Sequence, residues 1–315
     1  MNSFCPPVRG RNLRKHFTAL LIAASGISSA SGQVPFESRQ ANTIKAQTQP
    51  FVFYELQKGT GTAPNQTWAS VGNWKVGDGT VQEWVIETDS AESASFQIAS
   101  TPIQDLNPTL ATFVQTHGVP AMGALVLKDG KVHAMGATGT RRAGVAAPVT
   151  MFDKWHNGSV TKGMTATLAA KLVEEGVVTW QTTVGEIFPE RAVSMADGWS
   201  QMTLKQLLSN TSGAPGRIDA NVWSEIWHYE GLPRDARLFL MDKLTPTPPA
   251  FAPGTSYAYS NSGFALAVAM LEKATEVDWE TLMRTKIFEP LGMENAGFGV
   301  TATPRMLDHP YGHAG

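Results

Sequence analysis

Residues 158–176 read GSVTKGMTATLAAKLVEEG. Val160, Met164, Leu168 and Leu172 recur every four residues while Lys171, Glu174 and Glu175 fall on other faces, so the spacing predicts an amphipathic helix. Gly158 breaks the preceding segment, Ser159 opens the helix and Gly176 supplies a stop signal. Residues three apart on a helix are neighbours, which puts Lys162 beside Ser159. A serine hydroxyl is a poor nucleophile until a base takes its proton, and an amine kept neutral by its surroundings can do that. The helix N-terminus adds unpaired N–H groups and positive potential, both useful to an oxyanion. Taken alone, the stretch is better read as a capping serine followed by an incidental lysine. It is not a G-x-S-x-G elbow, because position 157 is Asn.

A second stretch changes the balance. FAPGTSYAYSNSGFALAVAMLEKATEVDWETLMRTKIFEPLGM runs from 251 to 293, and Tyr259-Ser260-Asn261 stands at the entrance to another helix after a Pro-Gly turn. In extended backbone, residues two apart project to the same side, which brings a phenol and a carboxamide together. Tyr can carry a proton and Asn can hold a substrate amide. In isolation Tyr259 would read as a core aromatic and Asn261 as a helix cap.

Together these segments resemble the serine hydrolases of the class C β-lactamase and D,D-peptidase type, including related esterases. The likeness spans roughly 108 to 315 and keeps the family's order: HGVPAMGALVLKDGKVHAMGATG, WHNGSVTKGMTATLAAKLVEEG, LKQLLSNTSG, FAPGTSYAYSNSGFALAVAMLE and IFEPLGM. The resemblance implies an α+β fold, with a mainly helical subdomain beside an antiparallel sheet. It implies Ser159 as the acylated nucleophile, Lys162 as its proton partner and Tyr259 as the general base that later serves the leaving group. Asn261 would contact a substrate amide. Neither metal nor cofactor is implied, and the partner is a small-molecule or peptide substrate: a β-lactam, a D-amino-acid peptide or a simple ester. In LLSNTSG the family usually has His where this chain has Asn210, a change to which the sequence attaches no catalytic meaning.

The family's third motif, a Lys/His-Thr-Gly triplet on a strand at the edge of the site, has no counterpart after Asn261. His313-Ala314-Gly315 nominally fits H-x-G but lies 52 residues past Asn261, much closer than in class C relatives. Pro310 and Gly312 also forbid the helix that would align His309 and His313 on a zinc ion. The sequence reading is therefore a domain truncated before its C-terminal strands. The alternative from a different class is a catalytically inactive relative that acts as a binding or interaction protein.

The rest of the chain supplies context. Its 315 residues, 42% hydrophobic and 17% charged, are ordinary for globular domains with sizeable cores. A net charge of −2 gives no reason to expect nucleic acid. Arg9, Arg11, Arg14 and Lys15 precede the apolar run Phe17 to Ile27 and then small residues, so 1–32 read as a secretory signal peptide. The alternative is a buried N-terminal helix. Its removal takes four basic and no acidic residues, leaving a net charge of −6 and no membrane span. The sole cysteine, Cys5, would leave with it, so neither disulfides nor thiol chemistry are expected in an exported product.

Residues 33–50 read as a polar linker. From 51 to 100, four short segments rich in aromatic and β-branched residues read as a small β-rich unit. Its Trp68, Trp74 and Trp84 fit either a core or a sugar-binding surface. Residues 101–315 form the expected hydrolase domain, opening with a helix at PTLATFVQTHG and a hairpin turning at Lys128-Asp129-Gly130-Lys131. The apolar outer edge of that hairpin is costly to leave open, and the 51–100 unit is a candidate to cover it.

Overall fold

The computed structural model describes residues 32–34, 38–40, 43–61, 65–86 and 95–313. The predicted signal segment, up to residue 31, and Ala314-Gly315 lie outside them. The chain divides into two compact units, Met1–Thr138 and Gly139–Gly315.

The first unit is β-rich. Its strands are β1 (Gly32–Val34), β2 (Ser38–Gln40), β3 (Thr43–Gln47), β4 (Val52–Thr60), β5 (Thr67–Val76), β6 (Val81–Val85), β7 (Ser95–Pro102) and β8 (Gln104–Asp105). Helix α1 (Asn107–His117) follows, then the hairpin β9 (Ala121–Lys128) and β10 (Lys131–Gly139). Three sheets result, ordered β1-β7-β4-β5, β2-β3-β6 and β8-β10-β9. The expected linker at 33–50 is corrected by this topology, because β3 pairs in register with β6. Ile44 and Ala46 alternate into a core with Tyr54, Leu56, Trp84, Ile86 and Ile98, and both are fully buried. Five residues with two small or branched apolar positions at period two suffice to specify a strand once a partner sheet receives them.

All four strands expected between 51 and 100 are present as β4 to β7. Trp84 belongs to the sandwich core, whereas Trp74 is half exposed and stacks on Phe53 with centroids 5.6 Å apart. The three tryptophans thus do not form one surface. The other face of β4 turns Phe53 toward Ile103 and Val132, and the buried Glu55 accepts from Lys131 Nζ at 2.9 Å. The hairpin therefore packs within the first unit, and the compact boundary falls at 138/139 rather than 100/101. The hairpin turn has the expected chemistry: Asp129 and Gly130 adopt φ of 51° and 74°. β9 is an edge strand, and Leu125, Val126 and Leu127 remain exposed along it.

The second unit is helical, as the sequence predicts. A 3-10 turn at Gly158–Val160 runs into α2 (Thr161–Glu174), followed by α3 (Val184–Ile187), α4 (Pro189–Ala192), α5 (Leu204–Leu208), α6 (Ala220–Trp227), α7 (Pro233–Leu244), α8 (Asn261–Thr275) and α9 (Trp279–Met283). Capping boxes at Thr183/Glu186 and Thr203/Gln206 start α3 and α5, and Asp278 caps α9. α8 is the central element, buried continuously from Leu266 to Glu272. Leu168 and Leu172 of α2, Leu204 and Leu207 of α5, and Met241 of α7 pack in the same fully buried core.

An ion pair ties the start of this unit to its end. Arg141 donates to both Asp153 oxygens, at 2.7 and 2.6 Å, and to Leu307 O at 2.9 Å. Burial pushes the Asp153 carboxyl up, but Arg141 and the Thr150 hydroxyl outweigh it and hold it below the usual carboxylate value. A depressed folded-state pKa gives stability that is present above the unfolded value and lost as pH falls through the folded one. The second unit is therefore expected to lose thermal stability from about pH 4 downward. Asp153→Asn should flatten that acid limb at a cost of about 3 kcal/mol near neutrality. Thermal unfolding followed across pH 2.5–7 in both proteins is the check, and an unchanged acid limb would remove Asp153 from the account.

Candidate active site

The site is built at the N-terminal ends of two helices. Gly158 takes φ of 49°, a left-handed conformation that turns the chain into the 3-10 turn and leaves Ser159 on the surface. Lys162, on the first turn of α2, lies three residues on, and its Nζ donates to Ser159 Oγ at 3.2 Å. At α8, the helix cap is Ser260, whose Oγ accepts from Gly263 N at 2.9 Å, and Asn261 is the first helical residue. Ser260 and Ser262 are buried, and both hydroxyls donate to Pro215 O, at 2.9 and 2.7 Å. Tyr259 immediately precedes the cap, outside any helix or strand, and is 45% exposed.

All four residues singled out in the sequence meet at this point. Ser159 Oγ lies 2.5 Å from Tyr259 OH, a hydrogen bond across one hundred residues of chain. Lys162 Nζ also donates to Asn261 Oδ1 at 2.6 Å and sits 4.7 Å from the centre of the Tyr259 ring. The Tyr259 phenol is held below its ordinary value, chiefly by the neighbouring Lys162 and then by the hydrogen bond with Ser159. With Lys162 donating to Ser159 Oγ, the serine proton is free to point at the Tyr259 oxygen. The geometry thus allows a run of hydrogen bonds from ammonium to hydroxyl to phenol.

A cavity of about 450 Å³ opens beside the group, lined by His156, Ser159, Lys162, Phe264, Val268 and Trp279 among others. The Trp279 indole N–H is buried without a hydrogen-bond partner among the described residues. The two C-terminal histidines lie elsewhere. His309 Nδ1 accepts from Lys154 N at 3.2 Å, and His313 Nε2 accepts from Ala143 N at 2.9 Å, so each imidazole is tied to main chain. His313 stands on irregular backbone rather than on a strand.

The beta-lactamase family profile matches residues 106–313, two thirds of the chain. The chain belongs to the beta-lactamase family. Among its relatives, penicillin-binding protein 4 of Amycolatopsis lactamdurans is 29% identical over 180 residues, covering 57% of this chain and 45% of that protein. A beta-lactamase of Escherichia coli K12 is 26% identical over 209 residues, covering 66% and 52%. The esterase EstB of Burkholderia gladioli is 29% identical over 196 residues, covering 60% and 49%. The crystal structure of the D-alanine carboxypeptidase AmpC from Burkholderia cenocepacia superposes with a TM-score of 0.51 at 28% identity, over 64% of this chain and 51% of that one. The chain thus spans about half the length of the relatives it matches. These likenesses establish the β-lactamase/transpeptidase-like α+β fold.

Sequence reasoning missed two contributors. Ser260, between the two named residues, is the cap that sets the direction of α8, and its signal was available in the N-cap preference for Ser. Asn210 adopts φ of 59° and bonds to the segment carrying Tyr259. An Asn at the end of a short helix, before a Gly-containing loop, is a recognised left-handed signal.

Proposed function

We propose that this member of the beta-lactamase family is a serine hydrolase that forms an acyl-enzyme at Ser159. The carrying observation is the 2.5 Å contact between Ser159 Oγ and Tyr259 OH, with Lys162 donating into the same oxygen. Tyr259, depressed in pKa, takes the serine proton as Oγ attacks a carbonyl carbon. The carbonyl π pair moves to its oxygen, where the helix N-terminal end stabilises the negative charge. Collapse of the adduct expels the amine or alcohol, which receives the proton back from Tyr259. Water then repeats the sequence on the ester and frees Ser159. Asn261 orients Lys162 and offers its amide N–H₂ to a substrate carbonyl.

The substrate class is an amide or ester: a β-lactam, a D-amino-acid peptide or a simple ester. The relatives' own names span all three chemistries, in a beta-lactamase, a D-alanine carboxypeptidase and an esterase. The cavity beside Ser159, with Phe264, Val268 and Trp279 in its wall, suits a modest apolar group next to the carbonyl. Export through residues 1–32 belongs to the same reading. Among the described residues, no helix is long and apolar enough to cross a membrane.

The second reading is a catalytically inactive relative that binds ligands without turning them over. A fluorescent fluorophosphonate and a fluorescent penicillin separate the two readings. The hydrolase reading expects a covalent adduct that maps to the peptide containing Ser159. An unlabelled, folded protein would overturn it in favour of the binding protein.

A further inference from the structure

The loop 209–216 and the segment 250–260 are zipped together by main-chain bonds. Ala250 N donates to Gly213 O at 2.9 Å, Gly254 N to Thr211 O at 2.7 Å and Ala258 N to Asn210 O at 2.9 Å. The next bond in the series departs from this pattern. Ser260 N donates to the Asn210 side chain, Oδ1, at 2.9 Å. One residue therefore holds the amides on both sides of Tyr259. It does so from the left-handed region, with φ of 59°, where Asn is among the few residues tolerated. In that conformation its carbonyl and its carboxamide oxygen face the same segment.

We infer that Asn210 is the positioning residue for Tyr259, fixing the phenol against Ser159 through paired acceptors, its O and Oδ1, that hold the amides of residues 258 and 260. The inference deepens the serine-hydrolase reading, and its kinetic arm rests on that reading. Nearly half of the Tyr259 surface is open to solvent, so the backbone on either side of it carries much of its orientation. If the 258–260 segment relaxes by about 1 Å, the 2.5 Å contact with Ser159 is lost, and misplacement of that size costs about 10²-fold in rate. A neutral histidine carries its Nδ1 where Asn carries Oδ1, and His too is enriched in the left-handed region. Either side chain offers an sp² acceptor to Ser260 N.

Three variants test the assignment. Asn210→Gly keeps the left-handed backbone and the carbonyl acceptor but deletes the acceptor for Ser260 N. Asn210→His restores an acceptor at the same distance along the side chain when the imidazole is neutral, so assays run at pH 8. Tyr259→Phe, made in each background, isolates the Tyr259 phenol in an ultraviolet difference titration, because the chain has five tyrosines. The wild-type, Asn210→Gly and Asn210→His proteins are compared for the maximal rate of Ser159 labelling by a fluorophosphonate and for the Tyr259 ionisation midpoint.

Asn210→Gly is expected to label about 10- to 100-fold more slowly at saturating reagent, with reagent affinity unchanged, and to ionise Tyr259 at higher pH. Asn210→His is expected to recover both readouts. An Asn210→Gly protein that labels and titrates like wild type would overturn the inference, as would an Asn210→His protein as impaired as the glycine variant. If wild type takes no label, the hydrolase reading fails, and the titration alone still decides the role of Asn210.

Discussion

Lys162→Met is expected to slow covalent labelling of Ser159 by about 10³-fold, and Ser159→Ala to abolish it, the latter equivalent to a loss of about 10⁶-fold. Lys162 Nζ is the one cation in contact with both Ser159 Oγ and Asn261 Oδ1 among the described residues, and it lies against the Tyr259 ring. Removing it takes away the donor that orders the serine proton toward Tyr259. It also removes the largest influence holding the phenol below its ordinary value. The sign of the pH effect follows. A Tyr259 returned to its ordinary range is less ionised at pH 7–9, so the variant's deficit should be greatest there and shrink toward pH 10. Tyr259→Phe should cost about 10² to 10⁴-fold, and the Lys162→Met/Tyr259→Phe pair little more than the worse single change. Groups acting as one proton path are non-additive. Rates for the double variant that equal the product of the singles would show instead that Lys162 and Tyr259 work independently.

The four site residues were legible because each sits at a position that sequence marks locally: Ser159 after a glycine, Lys162 one turn on, and Tyr259 and Asn261 around a cap. What joins them is long-range and was carried by the family resemblance alone. Nothing in the spacing of 159 and 259 indicates a 2.5 Å contact. The helical character of the second unit was legible from period and caps, and the hairpin turn from Asp129-Gly130. β3 was not, because its five residues, Thr43–Gln47, are mostly polar and become a strand through pairing with β6. The boundary at 138/139 was hidden for a related reason. It depends on Phe53 and Ile103 meeting Val132, a contact between segments that look self-sufficient in sequence. The role of Asn210 was overlooked because the comparison with His was made in catalytic terms. The relevant property of Asn210 is an acceptor carried on left-handed backbone.

The largest effect on stability is expected from Arg237→Leu, at about 3–5 kcal/mol. Arg237, on α7, donates to both oxygens of Glu272 on α8, at 2.9 and 2.6 Å, and to Glu280 Oε2 on α9 at 3.2 Å. The Glu272 side chain is 4% exposed, and beyond Arg237 it accepts from Trp279 N at 2.8 Å. Burial works against the guanidinium's charge, but Glu272 and Glu280 outweigh it, so Arg237 is held above its ordinary range. Leucine in its place would leave the Glu272 carboxylate in the core with one backbone donor, and the cost is chiefly that unpaired charge. The same reasoning predicts the remedy. Replacing the pair together, as Arg237→Leu with Glu272→Leu, removes the buried charge and should recover most of the loss, apart from the bond to Trp279 N. For a unit of this size, 3–5 kcal/mol lowers the unfolding midpoint by roughly 6–20 °C. A single variant within about 1 kcal/mol of wild type would mean that water reaches Glu272, and that α7, α8 and α9 are held by apolar packing instead.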